Sequence, residues 1–109
     1  MPTTDDTGAP VGGAEITADA TGVPIIKLTG EIDLSNADSV RATIESTVSS
    51  APERIVFDLS GLDFLDSSGI ALLLYVAAKT GSVQVRNPSE IVRRIIEVTG
   101  LSDILHMDA

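Results

Sequence analysis

Apolar and polar residues follow strand and helix periods in turn along the first half of the chain. Two short apolar runs, a weak one at residues 14–19 and a stronger one at 23–28, have the length expected of strands. Residues 36–49 carry apolar side chains at helical spacing, and the run at 54–59 is almost continuously apolar, as in a central strand covered on both faces. This half therefore predicts two strands, an amphipathic helix and a buried strand.

The second half continues the alternation of helix and strand. We predict a loop over residues 60–66, a helix over 67–79 that is apolar almost all round and hence buried, and a short strand over 82–86. A last helix follows from residue 88, and a short strand or turn closes the chain near Ile104. The order is strand, strand, helix, strand, helix, strand, helix.

Capping residues mark the predicted helix boundaries. Ser35 followed by Asp38 is similar to a capping box and is predicted to begin the first helix. Asn87 with Pro88 behind it is predicted to cap the last helix, which Gly100 ends. The predicted common core contains Ile55, Phe57, Leu72, Ile91 and Ile95.

Strands that alternate with helices imply an α/β fold. We expect a mixed, largely parallel β-sheet of four to five strands flanked by about three helices. A single domain over residues 14–109 accounts for this pattern. Residues 1–13 are rich in Thr, Gly, Pro and Asp, have little to bury, and are expected to form a disordered N-terminal tail.

Charge and composition argue against several classes of function. The formal net charge of −9 disfavours binding to nucleic acid and to anionic membrane surfaces. The absence of cysteine removes disulfides, thiol nucleophiles and thiolate metal sites. No apolar stretch approaches the roughly 20 residues of a membrane span, and the first residues lack the pattern of a signal peptide. We therefore expect a cytoplasmic protein.

Few residues are suited to catalysis. The single histidine, His106, lies three residues from the end, where a solvated side chain is a better interpretation than the base of a Ser-His-Asp triad. The GxSxG, P-loop and GxGxxG motifs are absent. We expect no enzyme activity, no catalytic residue and no cofactor.

Four aspartates lie near predicted strand ends, where open α/β sheets place their sites. Converging carboxylates there could bind Mg²⁺, but aspartate also favours turns and helix caps. We favour turns and caps and predict no metal site from Asp33, Asp58, Asp63 and Asp66.

The segment Asp66-Ser67-Ser68-Gly69 joins a predicted loop to the buried helix. An aspartate or serine at this position can accept hydrogen bonds from the first-turn amides, so a helix cap is the favoured interpretation of the spacing alone. A hydroxyl at a helix N-terminus is also a suitable place for a phosphate, because unpaired amides and the helix dipole accommodate the charge. Both interpretations remain open at this point.

Three stretches resemble the STAS domain family, in particular its anti-sigma factor antagonists. They are FDLSGLDFLDSSGIALLL, LTGEIDLSNADSVRATI and RNPSEIVRRIIEVTGLSDIL, and the resemblance covers about residues 14–107. It implies a STAS-like fold for residues 14–109 and a regulatory protein of bacterial transcription and stress responses.

The resemblance also implies a mechanism. In the family, the unphosphorylated antagonist binds an anti-sigma factor serine kinase and a sigma factor is released. The kinase phosphorylates the serine after the motif aspartate, which switches binding off, and a PP2C-type phosphatase reverses the modification. Carried onto this chain, the phosphorylated residue is Ser67, and we expect a monomer when the chain is free. The implied partner-binding residues are Asp33, Asp66, Ser67, Ser68, Gly69 and Ile70.

One other function stays open and a second is disfavoured. A second glycine is frequent in the family where this chain has Ala71, and the segment between Gly69 and Val83 is about one turn shorter than usual. One alternative is a non-phosphorylated STAS adaptor subunit in a lipid-transport or stress-signalling complex. The intact DSSG motif favours the switch, because a pure adaptor need not keep a phosphorylatable hydroxyl. A receiver-like domain is disfavoured, because neither Lys27 nor Lys79 lies in a receiver motif.

Overall fold

The computed structural model describes residues 12–107, which form a five-stranded sheet and three α-helices. The strands are β1 (Gly13–Ala18), β2 (Pro24–Ile32), β3 (Arg54–Leu65), β4 (Ser82–Arg86) and β5 (Leu105–Met107). The helices are α1 (Ala37–Ser49), α2 (Ser67–Lys79) and α3 (Glu90–Val98), and a 3-10 turn at Leu101–Asp103 precedes β5. The sheet order is β1-β2-β3-β4-β5; β1 is antiparallel to β2 and the other pairs are parallel. The predicted mixed, largely parallel α/β fold is confirmed.

The three helices lie on one face of the sheet. Each parallel crossover steps to the next strand in the same direction, and right-handed crossovers of that kind place their helices on a common face. The buried side chains support this arrangement, since Ile26, Phe57 and Val85 of the sheet belong to the same core cluster as the buried residues of all three helices. Val56 is only 3% exposed, yet it lies outside that cluster, on the opposite face beside Ile25.

The core is aliphatic except for Phe57, which is its largest side chain. The prediction is confirmed for Ile55, Phe57 and Leu72, which are at most 4% exposed. Ile95 is partly buried and packs against the same cluster. These contacts join β3, α2 and α3 in a single core.

The prediction that Ile91 lies in the core is wrong, because this side chain is 61% exposed. Helix α3 buries Val92 and Ile96, which lie four residues apart on one stripe. Ile91 is turned about 100° away from Val92 around the helix, so it faces outward. The sequence shows a broad apolar arc, and the sheet covers only part of it.

The predicted loop over residues 60–66 is also wrong, since β3 continues to Leu65. Register shifts against β2 occur within this extension, and they place Leu59, Leu62 and Leu65 in the core at intervals of three residues. A strand normally alternates with a period of two. The bulged strand therefore hides the pattern by which strands are recognised.

Two predicted caps are displaced by one or two residues. Helix α1 follows Asn36 and not Ser35, whose hydroxyl donates to Asp33 instead. Helix α3 is capped by Ser89, whose hydroxyl accepts from the backbone N–H three residues on. Asn87 has a positive φ of 55° and belongs to the turn before the cap.

The predicted bounds of α2 and β4 are confirmed, but α2 is not buried all round. One face of α2 is buried, whereas Leu74 is 39% exposed. Strand β1 begins at Gly13, inside the segment predicted to be a tail, and residues 1–11 lie outside the described residues. Gly100 has a φ of 79° and follows α3, as expected for a residue that ends a helix.

We expect the substitution Leu72→Ala to lower the free energy of unfolding by about 2–5 kcal/mol, because it leaves a cavity in the core. Leu74→Ala, on the exposed side of the same helix, is the matched control and is expected to cost about 1 kcal/mol or less. Urea-induced unfolding of both variants measures the difference. Equal losses would contradict the placement of the two leucines.

Candidate functional site

Asp66 begins helix α2 by accepting hydrogen bonds from its first amides. One carboxylate oxygen, Oδ1, accepts from the backbone N–H groups of Ser68 (2.8 Å) and Gly69 (3.3 Å). The backbone of Asp66 is extended, as is typical of a residue that caps a helix. The predicted capping role at this motif is confirmed, with Asp66 as the cap.

The same residue contacts the segment that follows β2. The second oxygen of Asp66, Oδ2, accepts from the backbone N–H of Leu34 at 3.3 Å, and the backbone N–H of Asp66 donates to the carbonyl of Ile32 at 3.1 Å. We call residues 33–36 the β2–α1 loop. This loop and the start of α2 therefore lie side by side at the C-terminal edge of the parallel strands.

The side chain of Asn36 closes the β2–α1 loop. Its Oδ1 accepts from the backbone N–H of Asp33 at 2.9 Å, and its Nδ2 donates to the carbonyl of Glu31 at 2.8 Å. The Asp33 carboxylate accepts from both the hydroxyl (2.6 Å) and the N–H (2.9 Å) of Ser35. The Ser35 hydroxyl, as the largest contribution, lowers the pKa of Asp33, so this side chain is an anion at neutral pH.

Gly69 is buried where α2 meets the ends of β2 and β3. A Cβ atom at this position would lie 2.6 Å from the Cβ of Leu65 and 3.2 Å from the carbonyl oxygen of Ile32. No side chain larger than hydrogen fits without movement of α2 or of the strand ends. The glycine of the motif therefore lets the helix start directly against the sheet.

The two serines of the motif have different environments. Ser67 is exposed, and its hydroxyl has no hydrogen-bond partner among residues 12–107. Ser68 is half-buried and faces the space between α1 and α2. Ile70 is partly buried and packs against the core. Ser67 is thus the more accessible of the two hydroxyls.

The amides expected to accommodate a phosphate are mostly occupied. Asp66 Oδ1 already accepts from the N–H groups of Ser68 and Gly69, and the N–H of Ile70 donates to the carbonyl of Asp66 at 2.9 Å. The sequence-based expectation of unpaired donors is wrong for Ser68 and Gly69, because the carboxylate of Asp66 uses their N–H groups. The bond from Ile70 is the first regular hydrogen bond of the helix.

A groove of about 210 Å³ runs between α1 and α2 from the candidate site. The Tyr75 hydroxyl donates to the carboxylate of Glu45 (2.7 and 2.9 Å), and the guanidinium of Arg41 lies 3.9 Å from the centre of the Tyr75 ring. The bond to Glu45 is the main reason that the pKa of Tyr75 is raised. The groove is lined by Leu34, Ala37, Asp38, Arg41, Ser68, Ala71, Leu72 and Tyr75.

Sequence reasoning missed two residues of the β2–α1 loop. Leu34 is 82% exposed, the largest value among the exposed large apolar residues of the described chain, and it follows Asp33 directly in the sequence. Asn36 holds the loop closed, as its two hydrogen bonds show. The sequence holds one signal for Leu34, because it is an apolar residue that lies outside the helical pattern of residues 36–49. It holds none for Asn36, because an asparagine before a helix does not reveal which groups its side chain bonds.

The remaining candidates do not assemble into a second site. Within residues 12–107, no group of three or more His, Cys, Asp or Glu side chains is placed to hold a metal ion. His106 is an exposed residue of β5. No helix of the described part is long and apolar enough to cross a membrane.

Comparisons with known proteins define the class. The family model of the STAS domain matches residues 16–109, and the chain belongs to the STAS domain family. It is 37% identical over 87 residues to RsfB of Mycobacterium tuberculosis, an anti-sigma-F factor antagonist, a match that covers 77% of this chain and 71% of RsfB. The sequence-based resemblance to this family is thereby confirmed.

Solved structures agree with this assignment. The crystal structure of an anti-sigma factor antagonist from Mycobacterium paratuberculosis has a TM-score of 0.77 at 30% identity, covering 86% of this chain and 82% of its own. The anti-sigma factor antagonist SpoIIAA in its unphosphorylated form has a TM-score of 0.66 at 25% identity, with 88% of each chain covered. The five-stranded mixed sheet with three helices is thus a STAS fold.

We expect Gly69→Ala to destabilise the chain by about 1–3 kcal/mol, because the added methyl group would overlap the Cβ of Leu65 and lie close to the carbonyl oxygen of Ile32. Ser67→Ala, two residues earlier and exposed, should change stability by no more than about 0.5 kcal/mol. Thermal unfolding followed by circular dichroism compares them. A Gly69→Ala variant with the melting temperature of the wild type would contradict the close packing of α2 on the strand ends.

Proposed function

We propose that this chain is an anti-sigma factor antagonist controlled by phosphorylation of Ser67. Its unphosphorylated form binds an anti-sigma factor serine kinase and so releases a sigma factor, and phosphorylation switches binding off. The chain is a binding protein and not an enzyme. The names of its relatives support this function. The observation that carries the proposal is the exposed hydroxyl of Ser67, next to the exposed β2–α1 loop.

Ser67 is favoured over Ser68 as the modified residue because a kinase must bring the hydroxyl into line with its ATP. The Ser67 hydroxyl is exposed and has no partner among the described residues, whereas Ser68 is half-buried on the α1–α2 groove. Access to Ser68 would require that the partner enter this groove. The geometry therefore supports the assignment carried over from the family resemblance.

The proposed partner surface combines an anion with apolar side chains. Asp33 supplies a carboxylate, Leu34 an exposed apolar side chain, and Ile70 a partly buried apolar side chain three residues after Ser67. A partner that covers this surface needs a basic residue opposite Asp33 and an apolar contact for Leu34. Three further residues of the proposed surface are less exposed: Asp66 and Ser68 are half-buried and Gly69 is buried, so they lie beneath the exposed side chains.

This surface also explains why a phosphate would switch binding off. Phosphorylation adds about −1.5 to −2 charge and three strong acceptor oxygens. An interface closed over Leu34 and Ile70 would have to remove water from that dianion, which is costly unless it is paired. Ser67 itself is exposed, so the fold does not carry this cost. The binding equilibrium changes while the domain stays folded.

A PP2C-type phosphatase that restores the serine, a monomeric free state and a cytoplasmic location complete the proposal. The adaptor alternative differs in its partners. Recovery of a membrane transporter or a scaffold complex with the tagged native chain, in place of a kinase, would favour the adaptor.

Incubation with the co-purifying kinase and Mg-ATP tests the assignment of the serine. We expect one phosphate on the wild type, one on Ser68→Ala and none on Ser67→Ala, as mapped by mass spectrometry. The phosphorylated wild type should bind the kinase more weakly in a calorimetric titration. Modification that persists in Ser67→Ala and vanishes in Ser68→Ala would overturn the assignment, and equal affinities would overturn the switch.

Asp33→Asn tests the proposed ion pair with the partner. The Asn oxygen can still accept from Ser35, so the loop and the melting temperature should be unchanged. Loss of the charge should weaken kinase binding by about 2–5 kcal/mol, as expected when one member of a partly desolvated ion pair is removed. The affinity should also become less dependent on salt. A lower melting temperature with wild-type affinity would assign Asp33 to the turn alone.

A further inference from the structure

We propose that Asp66 is a positioning residue that fixes the β2–α1 loop beside Ser67 and so acts on partner binding through Asp33 and Leu34. Its carboxylate is shared between two elements. Oδ1 accepts from the first amides of α2, and Oδ2 accepts from the N–H of Leu34, which lies 32 residues away in the sequence. This inference rests on the proposed function for its effect on binding, whereas its effect on the loop concerns the free chain.

The loop has few other attachments near Leu34. Asn36 anchors its end to Glu31, and the N–H groups of Ala37 and Val40 in α1 donate to the carbonyls of Asp33 and Asn36. Among residues 12–107, the other bonds of the loop join Asp33, Ser35 and Asn36 to one another, so none of them holds Leu34. The Leu34 side chain is 82% exposed, so packing does not hold it. The bond from the Leu34 N–H to Asp66 is therefore the contact that sets the distance between the tip of the loop and the start of α2.

The neighbouring backbone contact supports the same arrangement. The N–H of Asp66 donates to the carbonyl of Ile32, the residue immediately before the loop. This bond joins the end of β2 to the β3–α2 junction and does not depend on the Asp66 side chain. A change of that side chain can therefore release the tip of the loop while the base stays attached.

Asparagine at position 66 separates the two functions of the carboxylate. An Asn oxygen can replace Oδ1 and still cap the helix, since asparagine is as good a cap as aspartate. Its NH₂ group would then face the N–H of Leu34, donor against donor, and the bond to the loop would be lost. Asp66→Asn thus removes the loop contact and keeps the cap, whereas Asp66→Ala removes both.

Amide hydrogen exchange of the free chain, resolved by NMR, tests the loop contact without any partner. For Asp66→Asn we expect the Leu34 amide to exchange about tenfold faster or more, as for a lost hydrogen bond to a charged acceptor. The Ser68 and Gly69 amides and the melting temperature should stay close to wild type. Asp66→Ala should release all three amides. Unchanged exchange at Leu34 in Asp66→Asn would overturn the inference.

Binding to the kinase tests the consequence. We expect Asp66→Asn to weaken affinity about tenfold, and Asp63→Asn, which removes an exposed charge three residues earlier, to have little effect. In the Asp66→Asn background, the Asp33→Asn change should cause little further loss of affinity, because the loop that carries Asp33 is already displaced. Full additivity, or wild-type affinity of Asp66→Asn, would overturn the positioning role. A wild-type chain that binds no kinase would overturn the proposed function, and the exchange result would still decide the loop contact.

Discussion

The close approach of Gly69 to the strand ends is the constraint on which the geometry of the site depends. A Cβ atom there would lie 2.6 Å from the Cβ of Leu65, so helix α2 can start where it does only because residue 69 has no side chain. The same contact brings the helix against Ile32, the last residue of β2. Because the β2–α1 loop follows Ile32 directly, the packing of α2 against Ile32 also places this loop beside Ser67.

The four residues of the motif occupy four different environments. Successive residues of a helix point about 100° apart, so neighbouring side chains face different surroundings. Asp66 accepts hydrogen bonds, Ser67 is exposed, Ser68 faces the α1–α2 groove and Gly69 packs on the strands. The order of residue types in the motif therefore follows from the direction in which each position points.

Local patterns predicted those parts of the chain in which a single period or cap dominates. The bounds of α2 and β4 and the cap at Asp66 follow from residue spacing and from the chemistry of the first turn. Local patterns do not predict the extension of β3, because its bulges put Leu62 and Leu65 on the same side of the strand. They wrongly place Ile91 in the core, because the apolar arc of α3 is wider than its contact with the sheet. The assignment of Ser67 as the phosphorylated residue rests on the family resemblance and not on a local pattern. The bond between Leu34 and Asp66 joins residues 32 positions apart, and no local pattern records it.

The electrostatics of the site determine where the effect of a phosphate on Ser67 would be felt. The chain already carries a net charge of −9, and the carboxylate next to Ser67 has taken the amide donors of Ser68 and Gly69. A phosphate would therefore stay largely uncompensated by the chain itself and would depend on water for its solvation. Because Ser67 is exposed, water can supply that solvation in the free domain. In the proposed switch, a partner that covers Ser67 would remove the water, so the added charge would act on association and leave folding nearly unchanged.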